Sequence, residues 1–273
     1  MLVSVIIPTF NRQNKVINAV QSVLKQSYKN IELIVVDDGS EDNTLNKLKG
    51  LSDPRIKIIS QPHKGVSAAR NKGISQSKAN IIALLDSDDI WLPDKLKKHL
   101  KFHLEGGWQI SQTDELWIKK GKKINPMFKH RKKAGWIFEP SLELCLISPS
   151  CVMFSKEVWE KTGGFDENLP ACEDYDLWLR CSLKYSIGFL PEKLVVKYGG
   201  HPDQLSSKII GLDLYRIYSL LKLLKQKNIS KVQREKIKNT LFKKGNLYIK
   251  GCLKRGKFEE AERIKLLIEK WIT

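Results

Sequence analysis

The chain has 273 residues, 41% hydrophobic and 29% charged, and its 48 Lys and Arg against 30 Asp and Glu give a net charge of +18. That length suits one large domain or a domain with an appendage, and no apolar run approaches the roughly 20 residues that a bilayer-spanning helix needs. Five cysteines (Cys145, Cys151, Cys172, Cys181, Cys252), an odd number without Cys-x-x-Cys spacing, argue against a disulfide framework and a structural zinc site and fit a reducing cytoplasm.

The first segment, MLVSVIIPTFNR, has neither a basic leader nor a small-residue cleavage site and reads as a strand over 3–7 rather than a signal peptide. Val16, Ile17, Val20, Val23 and Leu24 then form one apolar stripe of a helix. IELIVV (31–36) predicts a second strand, followed by a short helix near 44–50, a strand at 56–59, a small-residue helix opened by Gly65, and a strand IIALL at 81–85. Strands alternating with helices predict a parallel sheet covered on both faces. A helix follows from Pro93 until Gly106 and Gly107 stop it. Residues 108–150 read as a weak strand or two around a basic loop. Order returns with a strand near 150–154, a helix SKEVWEKTG, an apolar helix over 172–185 and a strand over 194–198; 209–273 reads as three helices.

Positive charge is uneven. Residues 208–273 hold 18 basic and 6 acidic residues, and the loop 119–133, KKGKKINPMFKHRKK, holds eight basic and no acidic ones. Such fields attract nucleic acid, anionic lipid or phosphorylated substrates, or are simply solvated helix faces.

In an open parallel sheet, ligands bind beyond the carboxyl ends of the strands. Three predicted strand ends carry unusual polar residues: PTFNR (8–12), DDGSEDNT (37–44) and DSDD (86–89). Carboxylates this close raise one another's pKa unless a positive charge lies between them. A magnesium or manganese ion shared with substrate phosphate would supply it; alternatively the turn merely caps the helix near Pro93, with Asp89 as its cap.

The ordered set VSVIIPTFNR, IELIVVDDGSEDNT, HKGVSAARNKGI and IIALLDSDDIWLPDKL closely resembles family 2 glycosyltransferases of the GT-A fold. The match is strong over 2–100 and looser to about 205, through GGFDENL and CEDYDLWLR. The resemblance implies an α/β fold, a Rossmann-like mixed sheet flanked by helices, with a helical C-terminal appendage. It divides the chain into a catalytic domain at 1–205 (nucleotide-binding half 1–105, acceptor-binding half 106–205) and a basic helical region at 206–273. It also implies an inverting enzyme that moves a sugar from a UDP-sugar to an acceptor hydroxyl, carbohydrate or lipid-linked, in cell-surface polysaccharide or glycolipid synthesis.

By the same resemblance, Pro8, Thr9, Phe10 and Asn11 line the base and ribose, Asp38 accepts a hydrogen bond from the base, and Arg70 lies near the nucleotide. Asp86 and Ser87 belong to the donor site, and Asp86 and Asp88 are the DxD pair, Asp88 being the direct ligand of Mn2+ or Mg2+. Asp174 is the base, at a helix N-terminus whose dipole favours its ionised form; Glu173 beside it belongs to the acceptor site and Asp176 to the scaffold. His201 is a second-tier metal ligand, and His63, His99, His103 and His130 have no assigned role. The Gln-x-x-Arg-Trp element and transmembrane helices of processive members are absent from the sequence, so one sugar or a few are added per acceptor. Phe10 stands where many relatives have tyrosine. The basic tail is expected to attach peripherally to anionic membrane on the cytoplasmic side. Nucleic acid is not an expected partner, since no aromatic-interleaved basic stripe occurs; a basic binding protein on a non-catalytic nucleotide-binding scaffold is the alternative.

Overall fold

The computed structural model describes residues 1–125, 127–200 and 209–272. β1 (Val3–Thr9), β2 (Ile31–Asp37), β3 (Ile56–Ser60) and β4 (Ile81–Leu84) are parallel, in the spatial order β3-β2-β1-β4. All seven residues of β1 are buried, the consequence of helices on both faces of a parallel sheet. On one face pack α1 (Val16–Leu24) and α4 (Lys95–Glu105). On the other lie α3 (Val66–Ser75), α6 (Lys156–Thr162) and α7 (Glu173–Ser182). A Cβ at Gly73 would stand 2.4 Å from Ile6 Cγ2, so the absence of a side chain lets α3 lie against β1 and brings Arg70, one turn earlier, over the strand ends.

Beyond β4 the sheet becomes mixed, as the family resemblance implies and the alternating pattern alone does not. β8 (Val152–Ser155) runs antiparallel between β4 and β6 (Ile110–Lys119), and β9 (Ile187–Gly199) is parallel to β6. β7 (Lys122–Ile124) and β5 (Ile90–Trp91) complete it, pairing with β6 and β9. β6 and β9 are longer than the sequence suggests. The register slips between Thr113 and Glu115, where Thr113, Asp114 and Glu115 pair with Leu190, Lys193 and Val195, and a bulge of this kind breaks the apolar alternation by which strands are recognised. Asp89 does not cap α4. Asp94 holds the N-cap position, while Asp89 is buried and accepts from Ser150 Oγ at 2.6 Å.

α5 (Phe138–Glu143) and α7 share a third core with α8 (Asp213–Leu224), α9 (Lys231–Lys254) and α10 (Phe258–Ile272). Asp176 ties α7 to this unit through Lys222 at 2.9 Å, and pairs within its own helix with Arg180 at 2.6 Å. No described helix is long and apolar enough to cross a membrane.

Lys95 is wholly buried, its Nζ 3.8 Å from the Trp91 ring centroid and without a hydrogen-bond partner among the described residues. Burial pulls its pKa down from 10.5 to about 7. Between those values the unfolded chain binds more protons, so stability rises with pH; below pH 7 the folded state bears a buried ammonium in full. Lys95→Met should therefore raise Tm at pH 6 by several °C, at about 2–4 °C per kcal/mol, and the gain should fade as pH climbs past 7 toward 10.5. A thermal melt series reads this directly; a lower Tm at pH 6, or a gain constant to pH 10, contradicts it.

Candidate active site

The carboxyl ends of β2, β1 and β4 are adjacent, and a cleft of about 760 Å³ opens over them. Every residue marked in the sequence lines this cleft except His201, which lies outside the described residues. Pro8, Thr9, Phe10 and Asn11 form its floor at the end of β1, with Asp38 beside them. Asn11 has a left-handed backbone (φ 51°). That conformation is tolerated best by Asn and Asp among non-glycine residues, and it lets Oδ1 accept from Glu41 N at 2.8 Å and Asp42 N at 3.4 Å, fastening the two loops together.

Asp38 is buried, and its carboxylate is well occupied. It accepts from Lys64 N (3.0 Å), Gly65 N (2.8 Å) and Gln61 Nε2 (2.7 Å), with His63 Nδ1 at 2.8 Å. A carboxylate offers about four acceptor positions, so a base N–H would reach Asp38 by displacing one of these, and the exposed His63 is the easiest to move. His63, without a role in the sequence reading, also stacks on Phe10 with ring centroids 3.9 Å apart. It escaped notice because its partners lie far away in sequence and no local spacing marks it.

DSDD owes its existence to side chains that the sequence does not place beside it. Arg70 is buried; its Nη2 donates to Asp86 Oδ1 at 2.8 Å and its Nη1 to Glu173 Oε1 at 2.6 Å. Burial opposes ionisation of Asp86, but Arg70 and then Lys197 outweigh it and hold its pKa below the usual carboxylate value. Asp89 goes the other way. Burial, with Asp86 and Asp88 adding to it against Lys197, raises its pKa to about 8, so it is protonated at neutral pH. Lys197, in β9, donates to Ser148 Oγ at 3.0 Å and stands 3.9 Å from Asp89 Oδ2. It is a lining residue that the apolar run LVVKY concealed.

Asp88 is what remains. It is half-buried and has no hydrogen bond or ion pair among the described residues, and burial followed by Asp86 raises its pKa. Among the described residues no three His, Cys, Asp or Glu gather into a metal cage. Magnesium and manganese need none, since one or two carboxylates joined by phosphate oxygens suffice. An unpaired carboxylate kept at elevated pKa, on a cleft wide enough for a nucleotide, fits such an ion; Asp88, with Asp86 beside it, would hold it.

α7 brings Asp174, in its first turn and half-buried, to the same cleft. Cys172, at the N-cap position, takes a left-handed φ of 59°, a strained turn of the kind that concentrates at functional sites. Glu173, expected at the acceptor, lines the cleft and accepts from Arg70, so it also joins α7 to the DSDD turn. The far wall comes from the C-terminal region: Leu212 and, on α8, Arg216. Neither stood out in the sequence, where both belong to an ordinary amphipathic pattern.

Residues 4–163 match the family model described as glycosyl transferase family 2. The chain is 37% identical over 195 residues to an uncharacterized glycosyltransferase of Rickettsia conorii, covering 70% of this chain and 32% of that protein. It is 43% identical over 105 residues to an Escherichia coli UDP-Glc:α-D-GlcNAc-diphosphoundecaprenol β-1,3-glucosyltransferase, covering 38% of this chain and 42% of that one. The chain thus spans about a third of the length of the Rickettsia relatives it matches. In structure it is similar to S. aureus TarS 1-349 in complex with UDP-GlcNAc, with a TM-score of 0.74 and 19% identity over 88% of this chain and 72% of that one.

Proposed function

We propose, for a chain that belongs to glycosyl transferase family 2 by the match over residues 4–163, that it transfers a sugar from a UDP-sugar to an acceptor hydroxyl with inversion at the anomeric carbon. The observation that carries this reading is that one cleft is lined both by Asp88, without a partner among the described residues and beside Arg70-bound Asp86, and by Asp174 at the start of α7.

Phe10 offers a stacking face for the base, with His63 moving aside, and Pro8, Thr9 and Asn11 border the ribose. Asp86, Ser87 and Asp88 face the diphosphate. A divalent cation bound at Asp88, with Asp86, would neutralise charge developing on the departing UDP. Arg70 fixes Asp86 and Glu173 together, holding the donor half and α7 at constant separation. Asp174 takes the proton from the acceptor hydroxyl as oxygen attacks the anomeric carbon from the side opposite the diphosphate. A single in-line displacement forms one C–O bond while one breaks, which inverts the configuration.

For the acceptor we read a lipid-linked saccharide, by likeness to the E. coli relative whose name states a diphosphoundecaprenol acceptor. The basic C-terminal region at 206–273, whose helices α8, α9 and α10 pack on α5 and α7 of the catalytic unit at 1–205, suits peripheral contact with anionic lipid on the cytoplasmic face. A panel of nucleotide sugars scored by UDP release, with and without Mn2+, tests the reading. Metal-stimulated UDP release from at least one donor is expected; a panel with none, alongside no binding of UDP, overturns it.

A further inference from the structure

Arg216 lines the cleft beside Cys172 and Tyr175, which flank Glu173 and Asp174 at the start of α7. Its Nη1 donates to Asp213 Oδ1 at 2.9 Å. Its Nε is buried and has no partner among the described residues. A buried donor left unmatched carries its full desolvation penalty, and the Nε–Nη2 edge of a guanidinium is the fork that grips two oxygens of one anion. The side chain is 23% exposed, and since Nε is not part of that exposure a ligand meets the fork first at Nη2, which has no hydrogen bond among the described residues. The rim around it is apolar: Ile209 and Leu212 line the cleft, and Ile210, between them in sequence, is 82% exposed. In the proposed function the donor diphosphate is met by Asp86, Ser87 and a cation at Asp88, and not by Arg216.

We propose that Arg216 binds the phosphate of an amphiphilic acceptor, a saccharide whose diphosphate carries an alkyl or prenyl chain, with that chain leaving along Ile209, Ile210 and Leu212. This rests on the glycosyl-transfer reading and makes the C-terminal helices part of acceptor selection. Arg216 is a specificity residue; it takes no part in proton transfer.

The test is calorimetric titration of decyl diphosphate, below its micelle concentration, into protein saturated with UDP and Mn2+, so that the donor site is filled. The wild-type chain is expected to bind, and Arg216→Gln to bind at least about tenfold more weakly, the loss that one charge-assisted hydrogen-bonded contact brings, with UDP affinity unchanged. Asp213→Asn keeps the guanidinium and removes its structural partner, and it is expected to retain binding. Inorganic pyrophosphate is expected to bind far more weakly than decyl diphosphate. Equal affinity in wild type and Arg216→Gln, equal loss in Asp213→Asn, equal binding of pyrophosphate, or no binding to UDP-loaded protein overturns the proposal and leaves glycosyl transfer standing. Failure of UDP itself to bind removes both, and separates the two failures.

Discussion

Asp174→Asn is expected to lower kcat for sugar transfer by about 10²–10⁴-fold, the range that a positioned general base contributes, with UDP binding retained. The asparagine keeps the volume and the place at the start of α7 but cannot take a proton. Since Asp174 lines the cleft from α7 and not from the strand ends proposed to hold the donor, the change should appear in transfer to the acceptor and leave donor affinity within a factor of about two. Steady-state UDP release with acceptor present, paired with calorimetric binding of UDP, measures both. Transfer by the variant within tenfold of the parent would place the base elsewhere.

Arg70→Met should produce the largest loss of stability. Arg70 is the shared partner of Asp86 and Glu173, and all three lie in or beside the buried cleft floor. Removing one member of a buried ionic group costs about 3–5 kcal/mol because the others are left uncompensated, which for a chain of this size lowers Tm by on the order of 10 °C. The pH dependence gives the cause. Asp86 has its pKa lowered in the folded state, so the stability it brings is present above its unfolded value of 3.8 and is lost as pH falls through the folded value. Without Arg70 the buried carboxylates take up protons at higher pH than in the wild type, which relieves their uncompensated charge, so the gap between wild type and variant should be widest near pH 7, narrow as pH falls, and narrow further below 3.8 as wild-type Asp86 is itself protonated. Adding Glu173→Gln to Arg70→Met should recover part of the loss, since the two changes share one partner. Melts of the four proteins across pH decide it; additive losses independent of pH would mean that the pairs contribute nothing.

The donor half was legible because strands buried on both faces read as unbroken apolar runs, against which PTFNR, DDGS and DSDD stand out as polar ends. Their adjacency follows from the parallel order. Asp174 was legible from family likeness, since a carboxylate in a helix's first turn is otherwise commonplace. What escaped reading was tertiary. Asp89 looks like a cap because it precedes Pro93, yet Ser150, 61 residues away, takes its carboxylate. The strand pair β6 and β9 hid behind a bulge and the charged residues around it. Lys197, His63 and Arg216 gain their meaning from partners on other elements, as do the two sites that Arg70 joins. Even the crowding of carboxylates at 86–89 was half understood: a cation accounts for Asp88, while the protein's own Arg70 and Lys197, and a proton on Asp89, account for the rest.

That division of labour is tested most directly by calorimetric titration of UDP into wild-type protein and Asp88→Asn, each with Mn2+ and with chelator. The expected result is UDP binding that Mn2+ strengthens at least about tenfold in the wild type, as an ion shared between one carboxylate and a diphosphate should, and that Mn2+ leaves unchanged in Asp88→Asn. A wild-type affinity indifferent to Mn2+, or an Asp88→Asn protein that still responds to it like the parent, would contradict a cation held at Asp88.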